Sequence, residues 1–311
     1  MAESHLKENL VLYGALAANV GIAIAKFVAA GISGSSSMLT EGVHSLVDSG
    51  NQLLLLYGGA RAKKPPDRTH PFGYGREIYF WSFVVAMLIF AVGAGVSIYE
   101  GLEHFTHPHP LASAMLNYIV LGIAFLLEGT SWTIAMRELA QNRGEQGWWH
   151  LVVHSKDPST FIVLFEDSAA LIGLVLAAIG VWASHALGEP RADGIASILI
   201  GVVLALVAMF LAREAKGLII GESADPDLIH RLRQTLERRP EITFVNHVRT
   251  LHTGPEAVFV AVSADFADGL SMGEGERLIE EMEAELRALS PNIGSIYIRP
   301  ERREDAIVFD E

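Results

Sequence analysis

The chain has 311 residues, 50 % of them hydrophobic and 19 % charged, with a mean hydropathy of +0.33. Soluble proteins carry about 25 % charged residues, so this composition excludes a disordered chain and argues against a plain soluble enzyme. There is no cysteine, which excludes disulfides, thiolate metal sites and cysteine nucleophiles, and a net charge of −13 without a long basic tract argues against nucleic acid as a partner.

The charge is unevenly placed. Residues 1–221 hold 13 Lys+Arg and 17 Asp+Glu, a net of −4, whereas residues 222–311 hold 10 and 19, a net of −9. An apolar, nearly neutral part is thus expected over 1–221, a small acidic soluble domain over 222–303, and a terminal tail over 304–311.

A membrane-spanning helix needs about 20 mostly apolar residues. In chain order, Asn9 to Ile32 is broken only by Lys26, Ile78 to Tyr99 is uncharged, Leu111 to Met136 is broken only by Glu128, and Ile195 to Ala212 is uncharged. Two weaker runs carry acids: Ser36 to Ala60 contains Glu41 and Asp48, and Thr160 to His185 contains Glu166 and Asp167. The reading is six transmembrane helices. Met1 to Glu8 is polar and no cleavage pattern follows, so the first run is read as a retained helix rather than a signal peptide.

Loop charge sets the expected orientation. The 2–3 loop carries Arg61, Lys63, Lys64, Arg68 and Arg76, the 4–5 connection Arg137, Arg143 and Lys156, and the end of span 6 Arg213 and Lys216. On the other side, the 1–2 turn and the 3–4 loop (His104 to Pro110) carry no Lys or Arg, and the 5–6 loop only Arg191. Positive loops stay cytoplasmic, which puts both termini inside; in a bacterium the membrane would be the inner one.

The tail reads as αββαβ. Leu228, Ile229, Leu232 and Leu236 give Pro226 to Arg238 a helical stripe, and Pro240 ends it. Phe244 to Leu251 and Ala257 to Phe266 alternate as strands do, with Gly254 and Pro255 in the turn. Ser271 with Glu274 predicts a capping box, before a helix with Leu278, Ile279, Met282 and Leu286 as its stripe. Ile293 to Ile298 is the last strand. Such an α+β order suggests both helices packed on one face of a sheet.

Ionisable groups at membrane depth are costly and mark function. Glu41, His44 and Asp48 in span 2 fall on one helix face, and an imidazole and a carboxylate four apart can share a small divalent ion. The same residues also suit a buried hydrogen-bonded cluster that locks helix packing. Glu166 and Asp167 in span 5 point about 100° apart, so one is expected to face the site: Asp167 as ligand, with Glu166 a proton carrier, a supporting partner or a salt-bridge acceptor. Glu128 in span 4 is read as easing proton movement or pairing with Lys26. His44, Glu128 and Glu166 are the candidate proton pathway. His104, His107 and His109 are read as a solvated outer loop, and His230 and His252 as surface histidines.

Three segments together resemble the cation diffusion facilitator transporters, in the branch of zinc-transporter-9-like proteins and their bacterial relatives. They are Ser36-Ser37-Met38-Leu39-Thr40-Glu41-Gly42-Val43-His44-Ser45-Leu46-Val47-Asp48, His70-Pro71-Phe72-Gly73-Tyr74-Gly75, and Phe165-Glu166-Asp167-Ser168-Ala169-Ala170-Leu171. Asp193-Gly194-Ile195-Ala196-Ser197 and the tail extend the likeness over nearly the whole chain. The resemblance implies six spans, a homodimer, a ferredoxin-like cytoplasmic domain and divalent cation/proton antiport, with the metal as cargo and no prosthetic group. It also implies two metal ligands from span 2, matched by His44 and Asp48, and two from span 5, of which Asp167 matches one and Val163 takes the place of the other. Asp67 and His70 match an accessory metal position in the 2–3 loop, where Tyr74 replaces a histidine; a loop hydrogen bond is the preferred reading of His70. His247 matches one position of a cytoplasmic metal cluster whose next histidine is Ser263 here, so with Asp265 alone remaining no binuclear site is expected.

The leading expectation is a proton-coupled exporter of divalent transition metals, with zinc favoured by one histidine among acids. His44 suits proton competition because an unperturbed imidazole titrates near pH 6.5. The alternative is an intramembrane metalloenzyme using the His/Asp site for hydrolysis; no His-Glu-x-x-His or Gly-x-Ser-x-Gly supports it. A metal sensor without transport would need ligands in the tail, where most are missing.

Overall fold

The computed structural model describes residues 2–141 and 158–306. Six long helices come first: α1 (Ala2–Ser33), α2 (Ser36–Ala62), α3 (Glu77–Thr106), α4 (Ala114–Gln141), α5 (Pro158–Ala186) and α6 (Arg191–Ile220). Within α3 the segment Ile89–Ala94 is π-helical. Then come α7 (Pro226–Glu237), β1 (Ile242–Gly254), β2 (Ala257–Phe266), α8 (Met272–Leu289) and β3 (Ile293–Pro300).

Four described helices are long and apolar enough to cross a membrane: Glu77–Thr106, Ala114–Arg137, Phe161–Ala186 and Arg191–Ile220. The run through Glu166 and Asp167, weak by sequence, is thus among them. Helix α2 is not, because its acids and polar residues lower its hydropathy, and α1 contributes the shorter apolar stretch Asn19–Ser33 among the described residues. Arg143 and Lys156, used above to orient the chain, lie outside the described residues.

The chain divides into two compact units. The first combines Met1–Ala60 with Ile78–Lys216, and the second combines Arg61–Glu77 with Gly217–Glu311. The connection between α2 and α3 therefore belongs with the tail, not with the helices that flank it in sequence.

In the first unit, hydrogen bonds tie helices together where apolar contact alone cannot set register. The Asp193 carboxylate in α6 accepts from Ser35 Oγ (2.8 Å), Ser36 N (2.6 Å) and Ser37 Oγ (2.5 Å), so it caps α2 from another helix. Thr40 and Ser197 hydroxyls meet at 2.5 Å. Beside them α3 and α6 touch backbone to backbone: a Cβ on Gly101 would fall 2.7 Å from the Gly194 carbonyl oxygen. The Asp193–Ser197 motif is thereby explained as a helix clamp.

In the second unit, β1 pairs antiparallel with β2, and β2 parallel with β3, in the order β1-β2-β3. The core joins Leu228, Leu232 and Leu236 of α7 and Leu278, Met282 and Leu286 of α8 to Val245, Val248, Val258, Val260, Val262, Ile293 and Ile296 of the sheet. Asp225 caps α7 with Pro226 at its first turn, and the Ser271–Glu274 capping box is present. Strand β1 extends beyond the expected Phe244–Leu251, because pairing with β2 continues through Ile242 and Gly254.

Leu232 is fully buried in this core. In the detergent-solubilised full chain, Leu232→Ala is expected to destabilise the second unit by about 2–5 kcal/mol, read as an earlier thermal transition by circular dichroism. An unshifted transition would show that the helix does not pack as described.

Candidate metal centre

Four helices of the first unit line one internal cavity of about 30 Å³, about the space of a single water. Asn19 and Ile22 come from α1, Ser45, Asp48 and Gln52 from α2, Leu127, Glu128 and Ser131 from α4, and Val163, Glu166 and Asp167 from α5. The spacing reasons are simple. Ser45, Asp48 and Gln52 recur at three and four residues, as do Val163, Glu166 and Asp167, so each set holds one face of its helix.

Structure brings both span-5 acids to this cavity, although their directions differ. Glu166 is almost fully buried and accepts from Asn51 Nδ2 at 2.8 Å. Asp167 accepts from Ser131 Oγ at 2.8 Å. The expectation that only one of them would reach the cavity is corrected: long carboxylate arms on adjacent positions reach the same space from two sides. Val163 lines it too, on the face where a further ligand was sought.

His44 stands beside this space rather than in its lining. Its Nδ1 lies 3.4 Å from Asp48 Oδ1, and the ring is 1 % exposed. Among the described residues neither ring nitrogen has a hydrogen-bond partner, nor has Asp48 Oδ1. Buried polar atoms are nearly always satisfied, so these orphans mark a place for a further group. Among the described residues no three His, Asp or Glu side chains close to a metal-holding cluster.

Glu41 takes a different part from the one its sequence position suggested. Lys26 Nζ lies 3.0 Å from Glu41 Oε2 and donates to Ser45 Oγ at 2.7 Å, with both charged side chains fully buried. The buried ammonium takes the Glu41 carboxylate as its counter-ion, and the pairing with Lys26, one of the two readings of Glu128, is not formed. Glu128 stays half-buried at the cavity wall.

The remaining candidates are apart from the cavity. Asp67 organises an exposed turn, accepting from Tyr74 Oη (2.7 Å) and from the backbone of His70 (2.7 Å) and Thr69 (2.8 Å). Those bonds, the Tyr74 hydroxyl first, hold the Asp67 carboxyl below the usual carboxylate range and push the Tyr74 phenol up. His70 Nδ1 is 3.8 Å from Asp67, so this pair reads as a turn, as preferred above. His247 lies opposite Ser263 in the sheet, and burial lowers its ring pKa. Two histidines differ from expectation: His104 is buried in the last turn of α3, and His252 is buried on β1 by the pairing of its strand.

Sequence reasoning missed Asn51, Ser131, Asn19 and Gln52. Each is a polar residue one helical turn from a recognised acid or facing one, and that spacing was the available signal.

Apolar helices long enough to span a bilayer, with carboxylates turned inward on a small cavity, define an integral membrane protein. Residues 12–220 match the cation efflux transmembrane domain. The chain is 33 % identical over 243 residues to the mitochondrial proton-coupled zinc antiporter SLC30A9 of Homo sapiens, covering 78 % of this chain and 43 % of that protein. It is 30 % identical over 236 residues to metal tolerance protein C4 of Arabidopsis thaliana (75 % and 52 %), and 23 % identical over 297 residues to the manganese efflux system protein MneP of Bacillus subtilis (91 % and 92 %). The match spans about half the length of the first two relatives. This chain belongs to the cation efflux family.

Removing one partner of a buried ion pair costs about 3–5 kcal/mol, whereas apolar replacement of both is near neutral. Lys26→Met alone is therefore expected to lower thermal stability in detergent, and Lys26→Met with Glu41→Leu to recover most of it. A silent single variant would show that the pair does not form. In the exposed turn, Tyr74→Phe is expected to raise the Asp67 pKa toward its ordinary value. Because the folded pKa is the depressed one, the turn's stabilisation is present above the unfolded value and lost as pH falls through the folded one. NMR titration of the Asp67 carboxyl reads both.

Proposed function

We propose that this protein is a proton-coupled antiporter that exports divalent transition-metal cations, zinc foremost, from the cytoplasm. The observation that carries the reading is the convergence of Asp48, Glu128, Glu166 and Asp167 on one internal cavity, with His44 against Asp48. Acids so placed need a cation or protons. His44, Asp48 and Asp167 are assigned as the ligands of the transported ion, and Glu166 and Glu128 as proton carriers beside it. An incomplete donor set, with Val163 contributing nothing, suits an ion that must leave again.

Ligands must be deprotonated to hold a metal, so metal binding and proton binding exclude one another at these groups. That competition is the coupling: metal is taken up from one side and displaced by protons from the other. Zinc is favoured by the likeness to the zinc antiporter SLC30A9. The same nitrogen and oxygen donors accept manganese, iron or cobalt. In this reading α1 to α6 all span the bilayer, both termini are cytoplasmic, residues 222–303 form a ferredoxin-like domain with 304–311 as its tail, and the chain works as a homodimer. The relatives described above are named for antiport, tolerance and efflux, which lends the metalloenzyme alternative no support.

Calorimetric zinc titration of the detergent-solubilised chain tests the ligand set. His44→Ala and Asp167→Asn are expected to abolish binding. Glu166→Gln, which acts through its neighbours, is expected to weaken it by about tenfold and to change its pH dependence. Affinity in the unaltered protein should rise with pH as the donors lose protons. Loss of binding in Glu166→Gln with retention in Asp167→Asn would overturn the assignment.

A further inference from the structure

The connection between α2 and α3 and the β1–β2 hairpin, both in the second unit, enclose a pocket of about 450 Å³. The two come together backbone to backbone: a Cβ on Gly75 would fall 3.0 Å from Gly254 Cα. The wall is mainly apolar, formed by Pro71, Phe72, Leu251 and Phe259. Phe72 is 56 % exposed yet packs edge-on against Phe259 at 5.6 Å between ring centres. Phe259 in turn lies 5.5 Å from Tyr297, itself exposed.

Arg76 is the cation of this pocket. Two other cations of the connection are engaged: Arg61 is paired with Glu77 at 3.0 Å and lies over the Tyr74 ring, and Lys64 lies over the same ring. Arg76 is half-buried and makes no ion pair among the described residues. Gly221, at φ +117°, leaves it room, since a Cβ there would lie 3.3 Å from Arg76 Nη2. A partly desolvated guanidinium without an anion is suited to a phosphate, which it binds with charge-assisted forked hydrogen bonds.

Two facts together select the ligand class. The pocket joins one unpaired cation to an apolar wall, so its complement is an anion with an apolar body. Arg76 also precedes by one residue the 30-residue apolar helix that begins at Glu77, and basic juxtamembrane segments attract acidic headgroups. We propose that this pocket binds an acidic phospholipid, with the phosphate on Arg76 and the upper acyl region against Phe72, Phe259 and Leu251. A soluble phosphate would leave the apolar wall uncovered. This site is separate from the internal cavity and does not rest on the transport reading.

Native mass spectrometry of the detergent-solubilised full chain, titrated with phosphatidylglycerol or phosphatidylcholine, tests it. One phosphatidylglycerol per chain is expected to be retained in preference to phosphatidylcholine. Arg76→Gln should lower that retention about tenfold, the value of one charged hydrogen bond, and Phe72→Ser should lower it as well. Arg68→Gln, outside the pocket, should leave it unchanged. The proposal is overturned if Arg76→Gln retains the lipid as the unaltered chain does, or if Arg68→Gln loses it equally, which would mean diffuse attraction. It is also overturned if glycerol 3-phosphate competes at the lipid's own concentration, which would make the ligand a soluble phosphate. Should Arg76→Gln fail to fold by circular dichroism, the headgroup comparison and Phe72→Ser decide: equal retention of both lipids, or no effect of Phe72→Ser, contradicts the site.

Discussion

Charge inside an apolar helix bundle must be compensated locally, and that constraint shapes the first unit of this protein. Lys26 and Glu41 answer it directly, each fully buried and each the other's counter-ion. Ser45 takes a second bond from the same ammonium, so α1 is held to the face of α2 that carries Asp48. Asn51 and Glu166 tie α2 to α5, Ser131 and Asp167 tie α4 to α5, and Asp193 ties α6 to the start of α2. In an apolar surround such bonds set register between helices that van der Waals packing alone leaves free to slide.

Compensation is incomplete around the cavity. Around the internal cavity both His44 nitrogens and Asp48 Oδ1 have no partner among the described residues, while three more carboxylates face the same space. Glu166 and Asp167 serve twice, bonding to neighbouring helices and facing the cavity, beside the unpartnered His44 nitrogens and Asp48 Oδ1. The proposed antiport rests on those unpartnered atoms, because a site fully satisfied by protein would have no reason to exchange its contents.

Much of this was legible in the sequence. Apolar runs located the helices, since bilayer thickness sets their length, and alternation with a capping box located the tail's elements. The His44–Asp48 spacing places two polar side chains on one face by helical geometry alone. What failed was partner choice. Lys26 was weighed against Glu128, but helical periodicity within α1 says nothing of which neighbouring helix presents its acid at the same depth. Glu41 looked like a ligand for the same reason. The sequence reading makes His104 part of a solvated loop and His252 a surface histidine, but both are buried, and burial by other elements is a tertiary fact. The placement of the α2–α3 connection in the second unit was equally invisible, because composition marks a loop without saying what it folds upon.

The central claim is that the cavity exchanges a divalent cation for protons. Proteoliposomes holding the purified chain, loaded with a zinc-sensitive dye and given an imposed pH gradient, test it most directly. The account predicts zinc flux driven against the proton gradient, collapsing when a protonophore removes that gradient and lost in Asp48→Ala. Zinc movement that ignores the gradient, or that persists in a well-inserted Asp48→Ala protein, would contradict it.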